Sequence, residues 1–284
     1  MKIVLLIFFG LNFIHLIWSE KCPIIPKHYE ELNCIPKIFD ENNCPLSFDC
    51  SSFEQRDKNR CHYNGSIFDV HKELHNSDIE ESCTINCVCH KYEDDEEDFA
   101  KFNCAHIDCP EFLDDELPEN CIRQYKKGSC CSQSTVCGED IKKLAKCQFN
   151  GDTYYDGQQF EAENGCYSCL CGKGFENKPV EENKHCKKIN CLIDLRYSTK
   201  FYDGCVPVYF KKEDCCPITF KCPRPETKII RNHNNQTRSN DASLKCIFGD
   251  LKMSIGDSLS PEYENDCTVC TCKVPPHPTC VNTC

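Results

Sequence analysis

Tryptophan is nearly missing from this chain: the single one, Trp18, lies inside an apolar N-terminus. Beyond that N-terminus no stretch is long and apolar enough to span a bilayer, and no apolar residues recur at helical spacing. Low-complexity tracts are absent, and so is any serine or cysteine in a recognisable nucleophile motif. The 10 histidines are scattered, most without a partner at a meaningful spacing. These absences argue against one large core, a helical bundle and a catalytic centre, so no catalytic residue and no cofactor is expected. The net charge is −12 with Lys2 counted. Such a balance argues against nucleic acid, and against a heparin-type polyanion, as the main partner.

Cysteine is what the chain has in excess, 30 of 284 residues, a density that marks a disulfide scaffold. The first residues, "MKIVLLIFFGLNFIHLIWS", give one basic residue, an apolar run and a small residue at Ser19. This predicts a secretory signal peptide over 1–19; Asn12 and His15 interrupt the run that a membrane anchor would need. The protein is therefore expected to be secreted and extracellular, with oxidised cysteines and small cores stapled by sulfur.

The cysteines repeat. Those at 61, 83, 87, 89, 104, 109, 121, 130, 131 and 137 step by 22, 4, 2, 15, 5, 12, 9, 1 and 6. Those at 147, 166, 169, 171, 186, 191, 205, 215, 216 and 222 step by 19, 3, 2, 15, 5, 14, 10, 1 and 6. Agreement over nine intervals identifies a duplicated module. Cys22, Cys34, Cys44 and Cys50 match the end of a module without its doublet, whereas Cys246, Cys267, Cys270, Cys272, Cys280 and Cys284 match its beginning. The order is back half, whole, whole, front half.

Parity constrains the bonding. A whole module has five front cysteines, an odd number, so one must reach across to the back. Cys130 and Cys215, the doublet members that the N-terminal half lacks, are assigned that crossing role. Asn43 stands where the doublet cysteine would be, in a half whose four cysteines can close on themselves. At the other end Cys284 supplies the even count.

The units are expected at 20–50, 61–137, 147–222 and 246–284. Polar linkers separate them at 51–60, 138–146 and, as a longer flexible segment, 223–245, giving beads on a string. Hairpin signals open the front parts: Asn64-Gly65, Asn150-Gly151 and Asp156-Gly157, which favour type I′ turns, and Gly249-Asp250 and Gly256-Asp257. The expected fold class is small disulfide-rich all-β modules in tandem, with little regular secondary structure.

The motifs "CYSCLC" (166–171), "CTVCTC" (267–272) and the one-residue-longer "CTINCVC" (83–89), with the closures "CCSQSTVC" and "CCPITFKC", resemble the von Willebrand factor type C (chordin-like) domain. The resemblance covers nearly all of the chain after residue 19. It implies a small β-sheet subdomain followed by a looser one, with cysteines paired first to fourth, second to eighth, third to fifth, sixth to ninth and seventh to tenth. Carried onto this chain, that pairing gives Cys61–Cys89, Cys83–Cys130, Cys87–Cys104, Cys109–Cys131 and Cys121–Cys137 in the first module. In the second it gives Cys147–Cys171, Cys166–Cys215, Cys169–Cys186, Cys191–Cys216 and Cys205–Cys222. At the ends it gives Cys22–Cys44, Cys34–Cys50, Cys246–Cys272 and Cys270–Cys280, and leaves Cys267 for Cys284. Many family members carry tryptophan before the central motif; this chain has Phe160 and, at similar places, Leu74 and Leu259.

A C-x-x-C-x-C run can be a thiolate metal site, but full pairing in an oxidising compartment argues against one, and no metal is expected. The acidic run "YEDDEEDF" (92–99) lacks the glycine and alternating ligands of a calcium loop. Asn64 in "NGS" and Asn235 in "NQT" are sequons, expected to carry glycans. The resemblance implies a non-enzymatic extracellular binding protein for dimeric growth factors of the TGF-β/BMP type; the alternative is a structural protein of a matrix or secreted barrier, with matrix proteins as partners. A protease inhibitor is a third reading, but no reactive loop stands out. If all 30 cysteines are paired, thiol titration of the denatured but unreduced protein will find no free thiol, and one reactive equivalent per chain refutes the pairing.

Overall fold

The computed structural model describes residues 22, 24–91, 99–113, 117–163, 165–232, 244–263 and 266–284. The expected signal peptide therefore lies outside the described residues, apart from which the chain is read from Cys22 onward. Strands dominate. Among the described residues the α-helices are single turns, His28–Glu31, Ser51–Glu54 and Ser198–Tyr202, in keeping with the missing helical period.

Each front part is a hairpin followed by a three-stranded antiparallel sheet or its equivalent. In the first module Cys61–Tyr63 pairs with Ser66–Phe68, and Glu73–Leu74, Thr84–His90 and Lys101–His106 form the sheet. In the second, Lys146–Phe149 pairs with Asp152–Tyr155, and Gln159–Ala162, Tyr167–Leu170 and Cys186–Lys188 form the sheet. Asn64 and Gly65 have φ of 47° and 77°, and Asn150 and Gly151 have 50° and 96°. These left-handed pairs give turns whose twist matches that of the strands. At Asp156-Gly157 only the glycine is left-handed, at φ 82°, so the expected type I′ turn is replaced by one that passes the chain from hairpin to sheet. A Cβ on Gly157 would also lie 2.9 Å from the Gln124 Cβ.

The extra residue in "CTINCVC" is visible as a bulge. Register shifts between Ile85 and Val88, and Asn86 takes φ 51° there. Its N–H donates to the Asn76 Oδ1 at 2.8 Å. Tyr167–Leu170, one residue shorter in its motif, pairs without a shift.

Back halves are two-stranded hairpins: Ile35–Phe39 with Pro45–Asp49, Cys121–Gln124 with Ser134–Cys137, and Val206–Tyr209 with Thr219–Lys221. The last of these does not stand alone. Val206–Tyr209 also pairs in parallel with Thr279–Asn282 from the C-terminal half. The result is a six-stranded sheet in the order Thr219–Lys221, Val206–Tyr209, Thr279–Asn282, Thr268–Thr271, Ser258–Leu259 and Ile229–Ile230.

This arrangement corrects the beads-on-a-string expectation. Ile229–Ile230 belongs to the segment read as a flexible linker, 223–245, yet it forms the edge of that sheet, and Ile229 packs on the adjoining core. An apolar pair this short carries no period by which a sequence reading could find it. Residues 51–60 are anchored too. Phe53 is buried, and the Arg56 guanidinium lies 4.8 Å from its ring centroid. Arg56 also donates to Asp194 at 2.6 Å, with side chains only 9% and 7% exposed.

Four consecutive residues of the second module, Leu192 to Leu195, are buried. Leu192 and Leu195 pack into the core of the first module's front part, beside Tyr63, Leu74 and Phe102. Ile193 turns the other way, into a core shared with Tyr29, Leu32, Phe53, Phe201 and Val274. Such divergence within four residues needs an abrupt backbone, and Leu192 has φ 55°, a conformation unfavourable for a branched side chain. Further on, Val206 and Val208 complete the C-terminal core with Phe248 and Met253. Lys221 closes the same contact, its ammonium 3.0 Å from both Glu262 and Asp266. Burial opposes the Asp266 charge, but N–H groups of Glu262 and Thr268 and the Lys221 ammonium hold its carboxyl down to about 2.

Removing one partner of a buried ion pair strands the other. Arg56→Ala is expected to destabilise the protein by about 3–5 kcal/mol, whereas Lys142→Ala, from the exposed Lys142–Glu139 pair, should cost less than about 0.5 kcal/mol. Guanidinium unfolding with disulfides intact measures both, and equal effects would mean that Asp194 is solvated.

Candidate functional site

The structure joins Cys83 to Cys130 and Cys166 to Cys215 across the front and back parts, and Cys267 to Cys284 at the C-terminal end. Within the first module it also joins Cys61 to Cys89, Cys87 to Cys104, Cys109 to Cys131 and Cys121 to Cys137. Within the second it joins Cys147 to Cys171, Cys169 to Cys186, Cys191 to Cys216 and Cys205 to Cys222. The ends hold Cys22–Cys44, Cys34–Cys50, Cys246–Cys272 and Cys270–Cys280. No disulfide crosses from one unit to another. One backbone bond recurs at each front part: Ile107, Ile189 and Thr283 donate to the carbonyls of Cys83, Cys166 and Cys267 at 2.9, 2.8 and 2.8 Å. At the third of these Cys284 follows immediately, which brings it beside Cys267.

Asn43 has a second reason to be asparagine. Its φ is 62°, its N–H donates to the Asp40 carbonyl at 3.0 Å, and asparagine tolerates this left-handed geometry better than cysteine does.

Sulfur atoms gather at Cys83, Cys109 and Cys130, and at Cys191, Cys215 and Cys216. Every one is already in a disulfide. A disulfide sulfur has no thiolate to offer a metal, so these groups are crossings of two bridges. The run Cys166, Cys169, Cys171 is pulled to three separate partners. Residues 92–98 of the acidic run and Asn235 lie outside the described residues. Asn64 is exposed in its turn.

Phe160, Leu74 and Leu259, at or near the family's tryptophan position, are all buried here. Phe160 stacks on Tyr154 with ring centroids 3.7 Å apart. That position serves the core of each front part in this chain.

Where three units meet, side chains far apart in sequence form a closed cluster. His28 and Tyr29 come from the N-terminal half, Tyr209 from the second module, and Val274 and His277 from the C-terminal half. The Tyr209 hydroxyl lies 3.1 Å from His28 Nδ1, and His28 Nε2 lies 3.3 Å from His277 Nδ1. Tyr29 donates to the Val274 carbonyl at 2.7 Å and accepts from the His277 N–H at 2.9 Å. The Phe48 N–H donates to the Pro275 carbonyl at 2.9 Å. Burial pushes His28 well below the ordinary imidazole range, with His277 adding repulsion, and pushes His277 down to about 4. It likewise raises the Tyr29 and Tyr209 phenols. Two imidazoles at hydrogen-bond distance need one to donate and the other to accept, so at least one is neutral, and burial disfavours a charge on either. No sequence signal links residues 28, 209 and 277.

Beside this cluster the N-terminal half presents an apolar groove of about 410 Å³, lined by Ile24, Ile25, Pro26, Tyr29, Pro36 and Phe48, with Lys212 and Glu213 at its rim. Ile24, Ile35 and Phe39 are 49%, 66% and 48% exposed. Ile24 lines the groove, whereas Ile35 and Phe39 lie on the strand that contributes Pro36 to it; exposed apolar side chains with a charged rim are the composition that protein interfaces share.

The curated proteins that the chain is similar to include two extracellular ones. Cysteine-rich motor neuron 1 protein of Homo sapiens is 30% identical over 145 residues, 51% of this chain and 10% of that protein. Chordin-like protein 1 of Gallus gallus is 26% identical over 143 residues, 47% of this chain and 25% of that protein. The chain thus spans a tenth and a quarter of the length of these relatives. No family model matches it, and no solved structure matches it. The matches agree with the von Willebrand factor type C resemblance of the cysteine motifs.

The histidine pair fixes the sign of an acid response. Both imidazoles bind a proton less readily folded than unfolded, where their value is near 6.5. Stability should be full above that pH and fall as the pH drops toward about 4, with His277 alone accounting for about 3 kcal/mol. Unfolding midpoints measured from pH 7 downward should show a flatter decline in a His28→Gln/His277→Gln variant than in the wild type. Identical slopes would mean that the rings are solvated.

Proposed function

We propose that this chain, a sequence relative of chordin-like proteins, is a secreted, non-enzymatic binding protein of von Willebrand factor type C modules, and that its ligand is a dimeric growth factor of the TGF-β/BMP type. The observation that carries the reading is the apolar surface of the N-terminal half: a groove on which Ile24 is open, and Ile35 and Phe39 exposed on the strand that also supplies Pro36 to the groove. Fifteen disulfides suit an oxidising extracellular setting, and no helix among the described residues is long and apolar enough to cross a membrane.

Tandem modules on flexible tethers would grip a dimer by avidity. Units packed around Leu192–Leu195 offer a rigid face instead, which limits the ordering cost on binding. An apolar knob of the ligand seated against Ile24 and Phe48, with Ile35 and Phe39 offered from the hairpin, uses that rigidity. The module boundaries 20–50, 61–137, 147–222 and 246–284, and glycans at Asn64 and Asn235, are part of the same proposal.

Surface-plasmon measurements with BMP-type and TGF-β-type dimers test it. Oxidised protein should bind saturably, reduced and alkylated protein should not, and Ile35→Asp/Phe39→Asp should weaken binding by about tenfold or more. Leu113→Asp, at a residue 86% exposed in the first module, should leave affinity unchanged. No binding across the panel would overturn the growth-factor reading and leave the structural, matrix-assembling alternative.

A further inference from the structure

Acidic as the chain is, one of its clefts is lined by cations. It lies between the back part of the first module and the sheet of the second, has a volume of about 640 Å³, and is lined by Lys126, Lys127, Lys184, Lys187 and Lys188. Its only acidic lining residues are Glu80 and Glu81, and both are engaged. The Glu80 carboxylate accepts from the Asn190 amide at 3.1 Å. Glu81 accepts from the Cys83 N–H at 2.8 Å, from the Thr84 hydroxyl and from Arg196. Lys188 pairs with Glu30, and Lys187 donates to the Glu80 carbonyl. Lys127 reaches the Lys184 carbonyl at 3.5 Å. Among the described residues no carboxylate forms an ion pair with Lys126, Lys127, Lys184 or Lys187.

The cleft is built by packing. Lys126 and Lys127 ride on a turn closed by the Ser129 N–H to the Lys126 carbonyl at 3.0 Å, with Gly128 at φ 77°. The base of that turn is fastened to the second module by two bonds. The Tyr125 N–H donates to the Gly157 carbonyl at 2.7 Å, and the Gln124 amide to the Asp156 carbonyl at 2.8 Å. Lys187 and Lys188 lie on the strand Cys186–Lys188, facing the turn from the other module.

Four lysines in one cleft without an ion-pair partner among the described residues leave a local excess of positive charge over the two glutamates of the lining, which the net negative charge of the molecule does not cancel there. Screening confines each charge's reach to about 8 Å in physiological salt. An anion in the cleft relieves it. Lysines act as point charges and suit the rounded oxyanions of sulfate and phosphate esters. The cleft is open, and its cations spread over two modules, so an extended chain carrying repeated anions meets more of them than one small ion does. Outside the cell the polyanion of that description is a linear sulfated polysaccharide. We propose that this lysine cleft binds such a chain, at a surface separate from the Ile35–Phe39 face.

The test is retention of the full oxidised protein on immobilised heparin, followed by affinity for a heparin oligosaccharide in about 0.15 M NaCl. The wild type should be retained, with affinity falling steeply as salt rises. Lys126→Glu/Lys184→Glu should lose about tenfold or more, and the milder Lys126→Gln/Lys184→Gln should lose less. Lys142→Glu/Lys143→Glu, at lysines outside the cleft, should match the wild type. Growth-factor binding by the cleft variants should be unchanged, which separates failure of this proposal from failure of the binding reading above. Release at about 0.15 M NaCl would overturn the proposal. So would equal losses in the Lys142/Lys143 variant, or equal affinity for polyglutamate or inorganic sulfate.

Discussion

The burial of Leu192, Ile193, Asp194 and Leu195 is the constraint on which the rest of the arrangement depends. A four-residue stretch this short belongs to no regular element long enough to be stable alone. It is held because its side chains complete three different things: Leu192 and Leu195 the first module's front core, Ile193 a second core, and Asp194 an ion pair with Arg56. Modules stapled by sulfur have little apolar surface of their own to bury. Sharing one segment among several lets each borrow what it lacks.

How much of this could be read in advance follows from the range of the interactions. Local features were legible: Asn64-Gly65 and Asn150-Gly151 are read from two residues, whereas the extra residue of "CTINCVC" was visible but the bulge it makes at Asn86 was not predicted from it. The half-whole-whole-half reading came from matching the steps between cysteines, and the crossing role of Cys130 and Cys215 from the odd count of five in a whole module's front part. Packing between modules was not legible. His28, Tyr209 and His277 carry no shared spacing, and the apolar runs that dock, such as Ile229-Ile230, are too short for a period to emerge. Polar composition between the modules suggested free tethers, whereas a single Phe53 or Arg56 suffices to tie such a tether down. The lysine cleft was hidden for a related reason: net charge averages over a surface on which the folded chain sorts its charges.

Two surfaces with different chemistry result. The apolar groove of the N-terminal half rests on the aromatic rings of Tyr29 and Phe48, which stack 4.5 Å apart. Its shape is thus tied to the same junction that holds the histidine pair. The basic cleft rests on the contact between Gln124, Tyr125 and the Asp156-Gly157 turn. The cleft does not exist within an isolated module, and the groove takes part of its rim from a second one, so this chain differs from a simple series of independent units.

Each disulfide stays inside its own unit, although the units pack closely. The covalent map is therefore a set of islands, and this bears on how the molecule is made. When a chain enters an oxidising compartment from its N-terminal side, an island can close as soon as its last cysteine emerges, before the next island's thiols arrive to compete. Order of appearance then does part of the work of pairing thirty cysteines correctly. The same map makes units exchangeable in inheritance: a duplicated or deleted island carries both ends of its own bridges and leaves no orphan sulfur behind.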